Sequence, residues 1–113
     1  MKLVSKDLVA ASSKMIVLSI LSRQETYGYQ ILQSIKMFTE GGWIWYDGMI
    51  YPVLHKMERD KLIKSRWEES EETNRKRRYY SITEKGRKML ETEILGWKMV
   101  DTTLNKILGL QSC

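Results

Sequence analysis

Apolar residues recur at spacings of three and four along four long segments, which is typical of helices that bury one face. The first segment carries Val4, Leu8, Ala11, Met15 and Leu18 on one stripe. It is apolar all round in its second half, so it should lie at the centre of a small helical core. The full pattern predicts helices at residues 5–22, 27–39, 48–61 and 84–110.

Three shorter segments favour strands. Residues 62–69 alternate in side-chain character and residues 76–82 are rich in aromatic and β-branched residues, so together they predict a β-hairpin. Residues 43–46 follow a Gly-Gly pair that ends the second helix, and their aromatic content predicts a further short strand. The predicted order is helix, helix, strand, helix, strand, strand, helix.

The predicted helix ends are marked by side chains that satisfy free backbone groups. Thr26, Asp47 and Thr83 are the expected N-caps of the second, third and fourth helices. Pro52 is expected in the first turn of the third helix, where a missing amide hydrogen is tolerated. Gly109 lies where the last helix should end.

Two helix faces should supply the rest of the core. The inward residues are Ile31, Leu32, Ile35 and Phe38 in the second helix, and Ile50, Val53, Leu54 and Met57 in the third. The predicted fold class is mainly α with a small β-wing, namely a winged helix-turn-helix followed by a long C-terminal dimerisation helix.

Length and residue types narrow the function. A chain of 113 residues fits one domain, and its net charge of +5 favours an acidic partner such as nucleic acid or anionic lipid. One histidine, His55, and one cysteine, Cys113, cannot build a zinc site, and no glycine-rich phosphate loop is present. We therefore expect no enzyme, cofactor or metal. Without an apolar run near roughly 20 residues or a visible signal peptide, a cytoplasmic protein that does not enter the membrane is expected.

A helix-turn-helix followed by a basic hairpin has the parts of a winged-helix DNA reader. Between Arg75 and Lys88 there are seven basic residues and one acid, which gives a net charge of +6. Such a segment gains DNA affinity by releasing counterions from phosphates. Glutamates at the hairpin tip would be repelled, so contact is expected from the basic strand. The predicted DNA contacts are Met49, Tyr51, Pro52, His55, Lys56, Arg59, Arg75, Lys76, Arg77 and Arg78.

The last helix carries a heptad stripe that predicts a homodimer. Its members, at spacings of four and three, are Leu90, Ile94, Trp97, Asp101, Leu104 and Leu108. A small core has no place for so long a helix, so Leu90, Ile94, Leu104 and Leu108 should be buried against a second copy. The expected division is a winged-helix unit at residues 1–82 and a dimerisation helix at residues 83–113. Two such readers would meet DNA half-sites roughly 34 Å apart, or a multiple of that distance.

Two interpretations of Asp101 stay open at this point. As a single polar residue in an apolar seam, it would fix the register or face water. Alternatively, Trp97 of each copy would supply a flat face, and Asp101, one turn away, would attract a planar cationic ligand to the dimer interface.

Three motifs are specific in combination. They are the Tyr-Gly-Tyr-Gln-Ile of residues 27–31, the Tyr-Pro within residues 48–58, and the basic-Tyr-Tyr stretch of residues 75–86, which ends in Thr-x-x-Gly. This combination resembles the PadR family of bacterial transcriptional regulators. The resemblance implies a winged-helix dimer that represses transcription and exchanges its last helix. Similarity to a short multidrug-responsive subclass implies a ligand site made of Leu8, Ala11, Lys14, Met15, Trp97 and Asp101.

Four residues qualify that resemblance. Lys61 stands where a glycine usually closes the third helix in the left-handed conformation, and Asn74 replaces the usual glycine of the wing. Met49 replaces a small hydroxyl residue of the recognition helix, so the operator sequence should differ. Lys14 would oppose a cationic ligand. The alternative function is a coiled-coil interaction module whose basic surface meets a protein or a membrane without reading DNA.

Overall fold

The structure is a computed structural model that describes residues 4–110, so Cys113 lies outside the described residues. The elements are α1 (Lys6–Arg23), β1 (Thr26–Tyr27), α2 (Gly28–Phe38), α3 (Asp47–Arg59), β2 (Ile63–Glu69), β3 (Lys76–Ile82) and α4 (Glu84–Leu108). The fold is mainly α with a three-stranded antiparallel sheet in the order β1-β3-β2. The predicted hairpin of β2 and β3, hereafter the wing, is confirmed.

The short strand β1 lies before α2, whereas the sequence predicted a short strand after it. The predictions for Thr26 and for residues 43–46 are therefore both wrong. Thr26 does not cap α2; it is buried in β1 opposite Tyr80, and the helix begins two residues later. Residues 43–46 form no strand in the described part of the chain. Trp45 is buried there, with its ring edge-on to Trp43 at a centroid distance of 5.3 Å. Trp45 therefore serves core packing, whereas Tyr46 is exposed.

The start of α3 also differs from prediction. Asp47 is the first helical residue and not the cap, and the N-cap residue Tyr46 makes no side-chain capping bond. Pro52 lies inside the helix, beyond the first turn, so its missing N–H leaves the Gly48 carbonyl without the usual helical donor. The start of the helix is held by backbone bonds from the Met49 and Ile50 amides to the Tyr46 carbonyl, and Ile50 is fully buried.

The core lies where α1, α2 and α3 meet the sheet. Its most buried members include Val17, Leu18, Leu21, Ile31, Ile50, Leu54, Ile63 and Tyr80. The predicted inner faces of α2 and α3 are thus largely confirmed, with Leu32 and Val53 half-buried at their margins. Phe38 is an exception, because it ends α2 and is 61% exposed.

The first turn of α4 packs closely against the start of β2. Thr83 is the predicted N-cap and accepts a hydrogen bond from the Gly86 amide at 3.0 Å. A Cβ atom added to Gly86 would lie 2.1 Å from the Leu62 carbonyl oxygen, a distance that no side chain tolerates. Glycine is therefore required here by close approach.

Three other positions have the left-handed conformation expected from the sequence. Lys61 has φ 62° and Asn74 has φ 54°, a conformation that glycine adopts more readily. Gly109 ends α4 with φ 72°. None of the helices within residues 4–110 combines the length and apolarity needed to span a membrane.

Candidate nucleic-acid interface

One face of α3 is directed to solvent. Its exposed residues, here called the α3 outer face, are Pro52, His55, Lys56 and Arg59. The opposite face is buried in the core, so the helix is firmly seated while its polar face stays accessible. The expectation that Met49 also faces outward is wrong, because this side chain is half-buried and packs against the core.

Tyr51 lies at the edge of this face and against the first residue of α2. A Cβ atom added to Gly28 would be 3.0 Å from the Tyr51 hydroxyl oxygen. Gly28 begins α2, so the Tyr51 hydroxyl adjoins the positive end of the α2 dipole, where the N-cap residue Tyr27 makes no side-chain capping bond. This combination suits a phosphate group. The sequence analysis named Tyr51 as a DNA contact but did not place it beside the start of α2. The signal that could have shown this is Gly28, a glycine at the first position of α2.

The arginines of the wing are divided between two sides of the sheet. Residues directly opposite each other in an antiparallel pair project to the same side. Arg78 lies opposite Trp67, and Arg77 lies opposite Glu68, the next residue of β2. Arg77 and Arg78 were predicted together as DNA contacts, but they point in opposite directions.

Arg78 joins the wing to α3. Its Nε donates to the Ser65 hydroxyl at 2.9 Å, and its Nη2 donates to Glu58 Oε1, in α3, at 2.8 Å. The Ser65 hydroxyl also donates to Glu58. We call Glu58, Ser65 and Arg78 the α3–wing clamp. Because its Nε and Nη2 both donate to groups within the protein, Arg78 ties the wing to α3.

The outer side of the sheet carries cations that stack on aromatic rings or pair with acids. The Arg77 guanidinium lies 4.5 Å from the centre of the Tyr27 ring. Arg66 pairs with Glu25, and with Glu68 at 2.8 Å. The hydrogen bond from Arg66 lowers the pKa of the Glu25 carboxyl below its usual value. The charge of Arg66 is thus compensated within the protein.

Arg75, just before β3, and Lys76, its first residue, are exposed. Lys76 lies opposite Glu69 in the register, but no ion pair joins either cation to another residue among those described. Lys76 shares its side of the sheet with Arg78, and hence with α3, because alternate residues of a strand project to the same side. These two cations and the α3 outer face are therefore suited to a polyanion. The glutamates of the hairpin tip are exposed close by; they are Glu68, Glu69, Glu71 and Glu72.

Most of α4 beyond its first turns has an exposed apolar face. Leu90 is 8% exposed and belongs to the core of its own chain, so little of it remains for a partner. Farther along, the exposed apolar residues are Ile94, Leu95, Met99, Val100, Leu104, Ile107 and Leu108. Ile94, Leu104 and Leu108 lie on one stripe of the helix, whereas Leu95 and Met99 project from its other side. An exposed apolar stripe is typical of an interaction surface.

The six residues predicted to bind a ligand are spread over α1 and α4. Leu8, Ala11 and Asp101 are exposed, whereas Met15 and Trp97 are half-buried. Lys14 Nζ lies 3.4 Å from Glu93 Oε1, so its charge is compensated by an acid of α4. Ala11 and Lys14 line a groove of about 560 Å³ between α1, α3 and α4.

Sequence comparison places this arrangement among known proteins. Residues 17–92 match the Transcriptional regulator PadR-like family. The chain is 32% identical over 78 residues to the Transcriptional regulator YqjI of Escherichia coli (strain K12), a match that covers 69% of this chain and 35% of that protein. The chain therefore spans about a third of the length of that relative.

Solved structures give the same result over nearly the whole chain. A PadR-like transcriptional regulator from Bacillus cereus has a TM-score of 0.77 and 35% identity, with 94% of this chain and 100% of that chain covered. A transcriptional regulator from Clostridium thermocellum has a TM-score of 0.81 and 27% identity, with 89% and 97% covered. The winged-helix fold is shared with both.

Proposed function

This chain belongs to the PadR-like family of transcriptional regulators, and from that membership we propose that it is a homodimeric repressor that reads operator DNA through α3 and the wing. The observation that supports this most is the location of the exposed α3 outer face beside a hairpin whose exposed cations, Arg75 and Lys76, form no ion pair among the described residues. A helix of this kind fits the major groove while the hairpin follows the backbone.

The proposed contacts fall into two groups. Direct contacts come from the α3 outer face, from Tyr51 of α3 beside the start of α2, and from Arg75 and Lys76. Arg78 acts indirectly, because its hydrogen bonds to Glu58 and Ser65 orient the wing. Arg77 is on the outer side of the sheet and contacts DNA only if the duplex also reaches that side.

Self-association follows from the exposed face of α4. The helix has 25 residues and is about 37 Å long at 1.5 Å per residue. Its buried residues, Gly86 and Leu90, lie near its start, so the core of its own chain covers only that part of the helix. We propose that Ile94, Leu104 and Leu108 pack against a second copy, with residues 1–82 as the DNA-binding unit and residues 83–113 as the dimerisation helix. The partner would remove from water the apolar surface that one chain leaves exposed.

The experiment is selection of DNA sites from a random duplex pool, followed by affinity measurements at several salt concentrations. We expect a palindromic site, a steep salt dependence, and a loss of affinity in Lys56→Ala that is absent in the matched control Lys36→Ala, which alters an exposed lysine of α2. Absence of sequence preference, with equal binding to anionic vesicles, would favour the coiled-coil alternative. The family membership does not favour that alternative.

We further propose that a planar aromatic cation bound between the two Trp97 rings releases the DNA. Asp101 lies one turn from Trp97 and is exposed, and the pairing of Lys14 with Glu93 removes the main electrostatic objection to a cation. Such a ligand shifts the recognition helices only if it binds one dimer geometry better than another.

Fluorescence tests the ligand proposal. The chain has four tryptophans, so proflavine quenching is compared between the wild type and Trp97→Phe. We expect saturable quenching that is largely lost in Trp97→Phe, and proflavine affinity that falls in Asp101→Asn. Equal quenching in all three proteins would place the dye elsewhere and remove the site.

A further inference from the structure

The turn that ends α3 is joined to the start of α4 through each of its three carbonyl groups. Lys85 Nζ donates to the Asp60 carbonyl at 3.0 Å. The Thr83 hydroxyl lies 2.7 Å from the Lys61 carbonyl oxygen and 3.0 Å from that of Leu62. The Thr83 amide also donates to the Leu62 carbonyl, at 3.1 Å. The C-terminus of the recognition helix is thus bonded directly to the N-terminus of the dimerisation helix.

The turn itself is a rigid helix end. The Leu62 amide donates to the Met57 carbonyl at 3.0 Å, and the Lys61 amide donates to that of Glu58 at 3.0 Å. With Lys61 in the left-handed conformation, these two bonds form a Schellman motif. This motif fixes the turn to the end of α3. The carbonyl groups that α4 binds are therefore held in a fixed orientation relative to α3.

Electrostatics and packing favour the same contact. The partial negative charge at the end of α3 meets the partial positive charge at the start of α4, and Lys85 adds a full positive charge near the carbonyls. Gly86 lets α4 approach the Leu62 carbonyl more closely than any other residue would. The contact between the two helices is therefore short as well as hydrogen-bonded.

We propose that Thr83 and Lys85 are positioning residues that fix the angle between α3 and α4, and thereby the distance between the two recognition helices of the dimer. The inference rests on the proposed function, because that distance exists only if two copies associate. α3 has 13 residues and is about 20 Å long. A rotation of about 10° at the turn displaces its far end by roughly 3.5 Å, close to the rise of one base pair.

Electron paramagnetic resonance distance measurement on the full-length protein tests the angle directly. In a Cys113→Ser background, a nitroxide attached at His55→Cys reports the separation of the two α3 helices. Thr83→Val removes the hydroxyl but keeps the side-chain shape, and Lys85→Met removes the charge of an exposed side chain, so at least one variant should fold. The matched control Thr92→Val removes an α4 hydroxyl that bonds a carbonyl of its own helix.

We expect one narrow distance distribution in the wild type and in Thr92→Val, and a distribution broadened by about 3 to 4 Å, one base-pair rise, in Thr83→Val and Lys85→Met. Thr83→Ser, which keeps the hydroxyl, should restore the narrow distribution. The unlabelled variants should also discriminate several-fold less between the selected operator and the same operator with its half-sites one base pair farther apart.

Two results would overturn the inference, and they are distinguishable. A clear dipolar signal of unchanged width in both variants, with unchanged spacing discrimination, would contradict the positioning role and leave the dimer intact. Absence of any dipolar signal in the wild type would contradict the proposed dimer itself, and the positioning role with it.

Discussion

Arg78→Ala is the substitution that separates a structural from a DNA-contacting role in the wing. It removes the guanidinium of the α3–wing clamp, which donates at 2.9 Å to Ser65 and at 2.8 Å to Glu58. It also leaves the Glu58 carboxylate, which is 28% exposed, without its cationic partner. Both the stability of the protein and the orientation of the wing should suffer.

The magnitude follows from the two hydrogen bonds. A hydrogen bond to a charged group contributes about 1.5–3 kcal/mol when shielded from water. The Arg78 side chain is 36% exposed, so solvent screening reduces that contribution. We expect Arg78→Ala to lower the free energy of unfolding by about 2 kcal/mol. Arg77→Ala, the matched control on the other side of the same strand, loses a stacking contact and should cost about 0.5 kcal/mol.

Urea unfolding measures stability, and the dependence of DNA affinity on salt measures ionic contact. Arg78→Ala should reduce affinity without changing the salt slope, because Arg78 is bonded within the protein. Arg75→Ala should leave stability unchanged and lower the slope by about one unit, as expected for one phosphate contact. Equal stabilities for Arg78→Ala and Arg77→Ala, with a reduced slope for Arg78→Ala, would refute the clamp and make Arg78 a phosphate contact.

Three further predictions concern stability. Gly86→Ala should lower the free energy of unfolding by about 3 kcal/mol or more, because the added Cβ would meet the Leu62 carbonyl. Gly96→Ala, in the same helix with no atom near the added Cβ, should raise it by about 0.5 kcal/mol. Similar effects of the two substitutions would contradict the close approach at Gly86. Lys61→Gly should raise the urea midpoint, with a gain of roughly 0.5–1 kcal/mol from relief of the left-handed conformation, and a lowered midpoint would contradict that reading. Because Arg66 lowers the pKa of Glu25 in the folded state, the stabilisation from this ion pair is present above about pH 4.5 and is lost as the pH falls through the lowered value. The urea midpoint should therefore fall more on acidification in the wild type than in Glu25→Gln. Parallel plots of midpoint against pH for the two proteins would exclude the pairing.

Local chemistry predicted both ends of α4 and two left-handed positions, because these depend on neighbouring residues, but it misplaced the N-caps of α2 and α3. Thr83 and Gly109 end α4 as expected, and Lys61 and Asn74 adopt the left-handed conformation expected for a glycine position. Thr26 was misassigned because its burial in β1 depends on a strand more than 50 residues away. Long-range pairing of this kind leaves no periodic signal in a two-residue segment.

The sequence predicted which residue types the candidate site contains, but not the directions in which their side chains project. The hairpin that carries the basic residues was predicted, yet the sequence could not show that Arg77 and Arg78 lie on opposite sides of the sheet, since that depends on the register of the hairpin. Glu58 was not recognised as the partner of Arg78 because 20 residues separate them along the chain. The engagement of Lys85 at the end of α3 was missed for the same reason.

The central claim is that two chains, joined through their last helices, together bind one operator. Sedimentation equilibrium of the chain mixed with a selected palindromic duplex measures this stoichiometry directly. Two chains per duplex, with Leu104→Asp unable to form the complex, is the predicted result. One chain bound per duplex at saturation, or wild-type binding by Leu104→Asp, would contradict the account.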